Sequence, residues 1–284
     1  MIISNYNMIS VYLMGGLGNQ LFQIFTVIAY FLEYKKPFKL PLLKNDLSSP
    51  YGKEYKRPLY FESFLKRLKP YTTNTFKKGI VHREKIFEYN KIPKYDVDVL
   101  LYGYYQSYKY FDNYKDSILK LIDFKSYKEN ISNTYNYDNT ISLHFRIGDY
   151  IHNTEAHPIL SIEYYKKALE HIINKTKKMD YTVIYYYEKK DVDKVNKNIE
   201  ELKKTFSNIN FKESPENLHD WEEMISMSCC THNIIANSTF SWWAAYLNEN
   251  LDKIVCYPSV WVGGTSQNID LTDMFLDKWS KIIV

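Results

Sequence analysis

The spacing of apolar and polar positions divides the chain into short strand-like runs and longer helical ones. Residues 8–14 (MISVYLM) are apolar and β-favouring, and they predict a first strand. That run stops at GGLGNQ, residues 15–20, and a helical pattern continues through Tyr34, most apolar over residues 21–32. From residue 37 to residue 95 the pattern is irregular. Pro41, Pro50, Pro58, Pro70 and Pro93 punctuate it, which predicts short elements among long loops. Residues 99–111 (VLLYGYYQSYKYF) combine a buried strand with Gly103 and a polar step at Gln106 and Ser107. An amphipathic helix is expected over 112–128, and the Asn-rich piece 129–139 reads as a linker.

The second half is more regular. ISLHFRIGDY, residues 141–150, begins as a strand and changes character at its end. A helical stripe of Ile162, Tyr165, Ala168, Leu169 and Ile172 marks 161–175, and YTVIYYY (181–187) reads as another strand. Helices are expected over 191–206 and 220–230, with a short buried strand at 233–236. NSTFSWW (237–243) leads into an apolar helix to Leu247, and a last strand at 253–257 is closed by Pro258. Strands alternating with helices predict an α/β fold with a parallel, doubly wound sheet.

Composition narrows the class. A formal net charge of +4 is too mild to imply a nucleic-acid partner, although it suits a small anion. Three cysteines, Cys229, Cys230 and Cys256, do not make a disulfide framework or a zinc cluster, and they point to a reducing, cytoplasmic setting. The 21–32 run is too short to span a bilayer and contains Gln23, so no integral membrane segment is expected.

Three stretches carry candidate chemistry. In the first, His144, Arg146 and Asp149 crowd into six positions at a strand end, where open α/β sheets bind ligands, and Gly148 permits a turn. Arg is the side chain shaped to grip phosphate or carboxylate through two parallel hydrogen bonds. On this stretch alone an Arg–Asp surface pair explains the residues equally well. In the second, GGLGNQ lies between strand and helix, a layout that aims backbone N–H groups at an anion or simply packs the two elements closely. Leu21 stands where a dinucleotide fingerprint needs its third glycine, and no GK[ST] follows, which excludes a triphosphate loop. In the third, Asn237, Ser238, Thr239 and Ser241 gather at a strand-to-helix junction, suited to an N-cap and equally to a pyrophosphate.

Together these stretches resemble one family. GGLGNQLFQ (15–23), HFRIGDY (144–150) and NIIANSTFSWWAAYLN (233–248) occur in the order and spacing of the α-1,2-fucosyltransferases, glycosyltransferase family 11. GYYQSYKYF (103–111), HPILSIEYYKKAL (157–169) and IVCYPSVW (254–261) extend the resemblance over most of the chain. It implies a GT-B-like α/β fold of two facing Rossmann-like domains with a cleft between them. The acceptor-side domain would be 1–135 and the GDP-sugar domain 136–284. The implied reaction moves L-fucose from GDP-fucose to the 2-hydroxyl of a terminal galactose, with inversion, and with no metal or other cofactor. Arg146 would grip the diphosphate and act in catalysis. His144 and Asp149 would shape the strand end and approach the nucleotide or acceptor. Asn237 and Phe240 belong to the same donor site, where Ser238, Thr239 and Ser241 would donate to the pyrophosphate. From the glycine turn, Gly16, Gly18 and Asn19 would complete it, Asn19 by reaching across the cleft. Asp220 would accept from the guanine edge. Asp149, His152 and Glu155 all lie near the motif as candidates for the general base, and no spacing argument separates them.

The partners implied are GDP-fucose and a galactose-terminated glycan. Animal members carry an N-terminal membrane anchor, whereas this chain starts too close to its first motif to hold one, so any membrane association would be peripheral, through a lipid-linked acceptor. Two departures stand out. Ile147 occupies the place of a commonly present second arginine, and YYYEKKD (185–191) replaces a Phe-Ser-Asp-Asp step. The diphosphate would then be held more weakly, or by a cation from elsewhere. The alternatives are another GDP-sugar on the same fold, or a carbohydrate- or nucleotide-binding module without turnover. A metal-dependent transferase would need one of the DVD triplets at 96–98 and 191–193; the first follows no clean apolar strand, and the second sits in a lysine-rich helix.

Overall fold

The structure, a computed structural model, describes residues 7–42, 47, 57–75, 79–85, 87–264 and 269–284. The side chain of Asp149 and the residue Pro50 lie outside the described residues. The chain divides into two compact units, one of Met1–Lys125 with Ile269–Leu276, the other of Ser126–Asn268 with Asp277–Val284. The boundary expected after residue 135 stands ten residues further along than this division.

The first unit opens with strand β1 (Ile9–Val11) and helix α1 (Leu17–Tyr34), as the pattern predicts. Nearly the whole circumference of α1 is buried as far as Tyr30, which is why its sequence is apolar without a polar face. Two buried amides tie down its start. The Gln23 amide donates to the Gly103 carbonyl and accepts from the Met14 N–H, and Gln20 donates to the carbonyls of Gly15 and Pro58. The short strands β2 (Leu40–Pro41) and β3 (Thr72–Thr73) pair with each other. Strands β4 (Ile80–Arg83) and β5 (Val99–Tyr102) join β1 in a parallel sheet of order β1-β5-β4. The helix expected over 112–128 is broken: α2 (Lys115–Leu121) stops at Ile122, Asp123 adopts a positive φ of 60°, and α3 (Phe124–Thr134) begins anew. The expected linker is thus helical through Thr134. Its polar composition reflects an exposed helix face.

Just past β4, the Glu84 carboxylate accepts the Tyr105 N–H at 2.7 Å. Burial pushes this carboxyl up to about 7, against the backbone donors of Tyr104, Tyr105 and Gln106 that favour its ionised form. A raised carboxyl stabilises the fold below its ordinary value near 4.5, and that contribution is lost as pH rises through 7. The melting temperature of the wild type should therefore fall between pH 5 and 7.5, and Glu84→Gln should reduce the slope. Parallel curves for the two proteins would contradict this.

The second unit is a six-stranded, wholly parallel sheet. Its strands are β6 (Thr140–His144), β7 (Thr182–Tyr186), β8 (Asn210–Glu213), β9 (His232–Ile234), β10 (Val255–Pro258) and β11 (Ser280–Ile282). They lie in the order β8-β7-β6-β9-β10-β11. Helices α4 (Ile162–Thr176), α5 (Val192–Thr205), α6 (Asp220–Cys229) and α7 (Thr239–Leu247) make the crossovers, α4 packing with α5 and α6 with α7. This is the doubly wound order, and its direction reverses between β6 and β9, the point where such sheets bind ligands. A polar seam crosses that point inside the fold. Asn233 donates to Ser142 and to the Met227 carbonyl, and Asn248 donates to Asn233 and to the Cys230 carbonyl. These buried amides are satisfied side to side, which fixes the register of β6 against β9.

Candidate functional site at the strand ends of the second unit

The first step out of β6 is apolar. Phe145 continues the ladder by donating to the Tyr186 carbonyl, and its ring packs on Tyr165. The Tyr165 hydroxyl donates to the His144 carbonyl, and the Tyr164 hydroxyl to the carbonyls of Ile235 and Cys256. Two adjacent tyrosines of α4 thus pin the carboxyl ends of β6, β9 and β10. Arg146 then turns outward at the strand end, with 19% of its side chain exposed. Ile147 turns inward, 4% exposed, into the apolar core with Leu143 and Tyr187. In this chain position 147 is a core position, and it presents nothing to a ligand.

The turn after Arg146 is held by the segment following β7. The buried Asp191 carboxylate accepts the Gly148 N–H at 2.7 Å. Gly148 has φ +34°, a conformation that strains other residues, and a Cβ there would also push the Glu188 carboxylate, 2.4 Å away, out of its place. The same Glu188 carboxylate accepts from the Arg146 guanidinium and from Lys190. The guanidinium also lies 5.0 Å from the centroid of the Tyr150 ring.

Opposite, across the switch point, β9 leads into α7. Ser238 is its N-cap, accepting the Phe240 N–H. Ser241 does not face outward as expected: it is fully buried, and its hydroxyl donates to the carbonyls of Ala236 and Ser238. Thr239 and Phe240 are half-buried at the helix start. The Asn237 amide donates to the carbonyls of Pro158 and Trp261, while its backbone carbonyl accepts from the Tyr150 hydroxyl. Asn237 is thereby a staple of three loops, and its Oδ1 is buried with no hydrogen-bond partner among the described residues.

His144 is buried beneath the Phe240 ring, and its Nδ1 also has no partner among the described residues. Burial, aided by the Arg146 charge, lowers its imidazole to about 3. At neutral pH it is an uncharged hydrogen-bonding group. His152 and Glu155 are exposed on the turn beyond, and neither is positioned on the strand end. Asp220 is the exposed first residue of α6 and accepts the Trp221 N–H. Glu223, one turn along, is half-buried between Asp220 and the 188–189 segment. Burial first, and then Asp220, raises its carboxyl to about 7, opposed by Lys189.

The glycine turn of the first unit is a separate assembly. Gly15, with φ +75°, carries the turn, and a Cβ there would meet the Asn19 amide at 2.4 Å. Gly16 is the N-cap of α1, and Gly18 is buried inside it. The Asn19 Oδ1 accepts from the Gln106 amide at 2.8 Å. Gln106, part of the polar step noted at 106–107, thus helps to orient Asn19.

The structure therefore gathers His144, Arg146, Asn237, Ser238, Thr239 and Phe240 at one switch point. It adds Glu188, Lys190, Asp191 and Glu223, which the sequence reading passed over. Asp191 lay inside a DVD triplet discounted as a metal motif, and Glu188 and Lys190 lay in the altered YYYEKKD step.

The sequence profile described as glycosyl transferase family 11 matches residues 2–282. The O-antigen biosynthesis glycosyltransferase WbnK of Escherichia coli is 29% identical, over 95% of this chain and 99% of that protein. An alpha-1,2-colitosyltransferase of Escherichia coli is 25% identical, over 95% of this chain and 97% of that protein. Among solved structures, the fucosyltransferase NodZ from Bradyrhizobium superposes with a TM-score of 0.46 at 9% identity, covering 86% of this chain and 94% of that one. Among the described residues no helix is long and apolar enough to cross a membrane.

Proposed function

This chain belongs to glycosyl transferase family 11 and is a glycosyltransferase, and from that premise we propose that it transfers L-fucose from GDP-fucose to the 2-hydroxyl of a terminal galactose. The observation that carries the reading is Arg146. It is a shielded guanidinium just past the end of β6, beside the sheet's switch point, held by Glu188 and lying over the Tyr150 ring. Transfer from a β-linked diphosphate ester to an α linkage inverts the sugar through an oxocarbenium-like transition state. Negative charge grows on the departing phosphate, and a donor already aimed at that charge is worth about 3–4 kcal/mol. Arg146 supplies the charge, and Ser238, Thr239 and the first N–H groups of α7 supply neutral donors. With its imidazole lowered to about 3 by burial, His144 is uncharged at neutral pH and orients the ligand through hydrogen bonds.

For the guanine edge we favour Glu223, half-buried and with its carboxyl raised by burial, over exposed Asp220. An acceptor there must be ionised, so GDP affinity should rise as pH is raised from 6 to 8. Glu223→Gln should bind weakly and without that pH dependence; a pH-dependent variant would remove Glu223 from the role.

An O-antigen oligosaccharide ending in galactose is the acceptor we favour, supported by the name of the 29% identical relative. The alpha-1,2-colitosyltransferase supports the linkage, and it also favours a second reading in which the donor sugar is not fucose. A donor screen with GDP-fucose, GDP-colitose and GDP-mannose on a panel of galactosides, with linkage analysis of the products, separates the two. Transfer from GDP-fucose with an α-1,2 product, unchanged by EDTA, is expected. GDP bound without release from any donor would instead mark a binding module.

A further inference from the structure

Glu188 is held between two cations at the edge of the site. One carboxylate oxygen meets the Arg146 guanidinium, and the other lies 2.9 Å from the Lys190 ammonium. The carboxylate rests against Gly148, in space that any other residue's Cβ would fill. Arg146 is the most shielded of the three, 19% exposed against 39% for Glu188 and 44% for Lys190. Of the charged groups nearby, Asp191 accepts the Gly148 N–H, and Lys189 and Glu188 both act electrostatically on Glu223.

A carboxylate and a phosphate present the same paired acceptor oxygens to a guanidinium. Two cations spaced to share one carboxylate are spaced to share one phosphate group. We propose that Lys190 is a second ligand of the donor's diphosphate and that Glu188 holds its place until the donor arrives. The inference rests on Arg146 as the diphosphate grip. Binding then exchanges an internal anion for an external one. Tethered one side-chain length away, the Glu188 carboxylate competes at a high effective concentration, which keeps both cations ordered and excludes weak anions. Glu188 lies on the loop between β7 and the turn Lys189–Asp191, so a change of its side-chain rotamer withdraws its carboxylate from both cations.

Calorimetric titration with GDP, and separately with inorganic pyrophosphate, tests this on the wild type, Arg146→Ala, Glu188→Gln, Lys190→Ala and Lys194→Ala. The last removes the same charge from an exposed position on α5. Glu188→Gln should bind both ligands about five-fold more tightly, and Lys190→Ala about five-fold more weakly with a shallower salt dependence. Circular dichroism checks the fold of each variant. If Glu188→Gln gains no affinity, or if Lys190→Ala behaves like Lys194→Ala, the proposal is overturned. If Arg146→Ala keeps full GDP affinity, the underlying site assignment fails instead. Should Glu188→Gln not fold, the comparison of Lys190→Ala with Lys194→Ala still decides the role of the lysine.

Discussion

Arg146→Ala is expected to lower kcat/KM for transfer by about 10²–10³-fold, the usual loss when a preorganised donor to a developing anion is removed. The melting temperature should hardly change, because Glu188 is 39% exposed and keeps Lys190 as a partner. Arg146→Lys should recover only part of the loss. A lysine carries the charge but lacks the planar fork, and it would also lose the contact with the Tyr150 ring. Steady-state kinetics on the three proteins decide the point. Near-normal turnover in Arg146→Ala would remove this residue from the reaction.

The largest effect on stability is expected at Trp242. It is fully buried in α7, stacked on Tyr246 at 5.0 Å and in contact with the rings of Trp243 and Trp279. Truncation to alanine leaves a cavity that these rigid neighbours cannot close, at a cost of about 3–5 kcal/mol. The consequence reaches the site, since the first turn of α7 carries Ser238 and Thr239 on its outer end. In urea denaturation the second unit's transition should move to much lower concentration, and weakened GDP affinity should accompany it. A loss under 1 kcal/mol would show that the cluster repacks.

Most of the second unit was legible because its physics is periodic. The α4 stripe from Ile162 to Ile172 and the runs at 141–144 and 181–187 follow directly from burial on one face or on both. Strands β8 and β11 were not legible. The former is an exposed edge strand whose Asn, Lys and Glu residues carry no apolar signal, and the latter has only Ile282 buried. The break between α2 and α3 depends on the backbone of Asp123, which no periodicity reveals. At the site, residues on or next to a strand end were found from sequence, since β6 and β9 announce themselves. Ser241 was misread because a hydroxyl three residues into a helix can bond back to a carbonyl as readily as face outward. Glu188 and Asp191 escaped notice because their partners, Arg146 and Gly148, are more than forty residues away along the chain and meet them only through the β6–β7 pairing.

Residues 269–282 link the two units in time. Met274 and Phe275 are buried in the first unit, where Asp273 also accepts the Tyr89 N–H and the Lys109 ammonium. Six residues later, β11 completes the sheet of the second. A ribosome making this chain therefore delivers the closing piece of both units within one short interval. Until it does, the first unit waits with a gap in its core and the second with an uncovered strand edge at β10, the kind of edge that invites association with other chains. Chain termination before residue 269 would leave neither unit finished, whereas an ordinary two-domain protein would keep its first half intact.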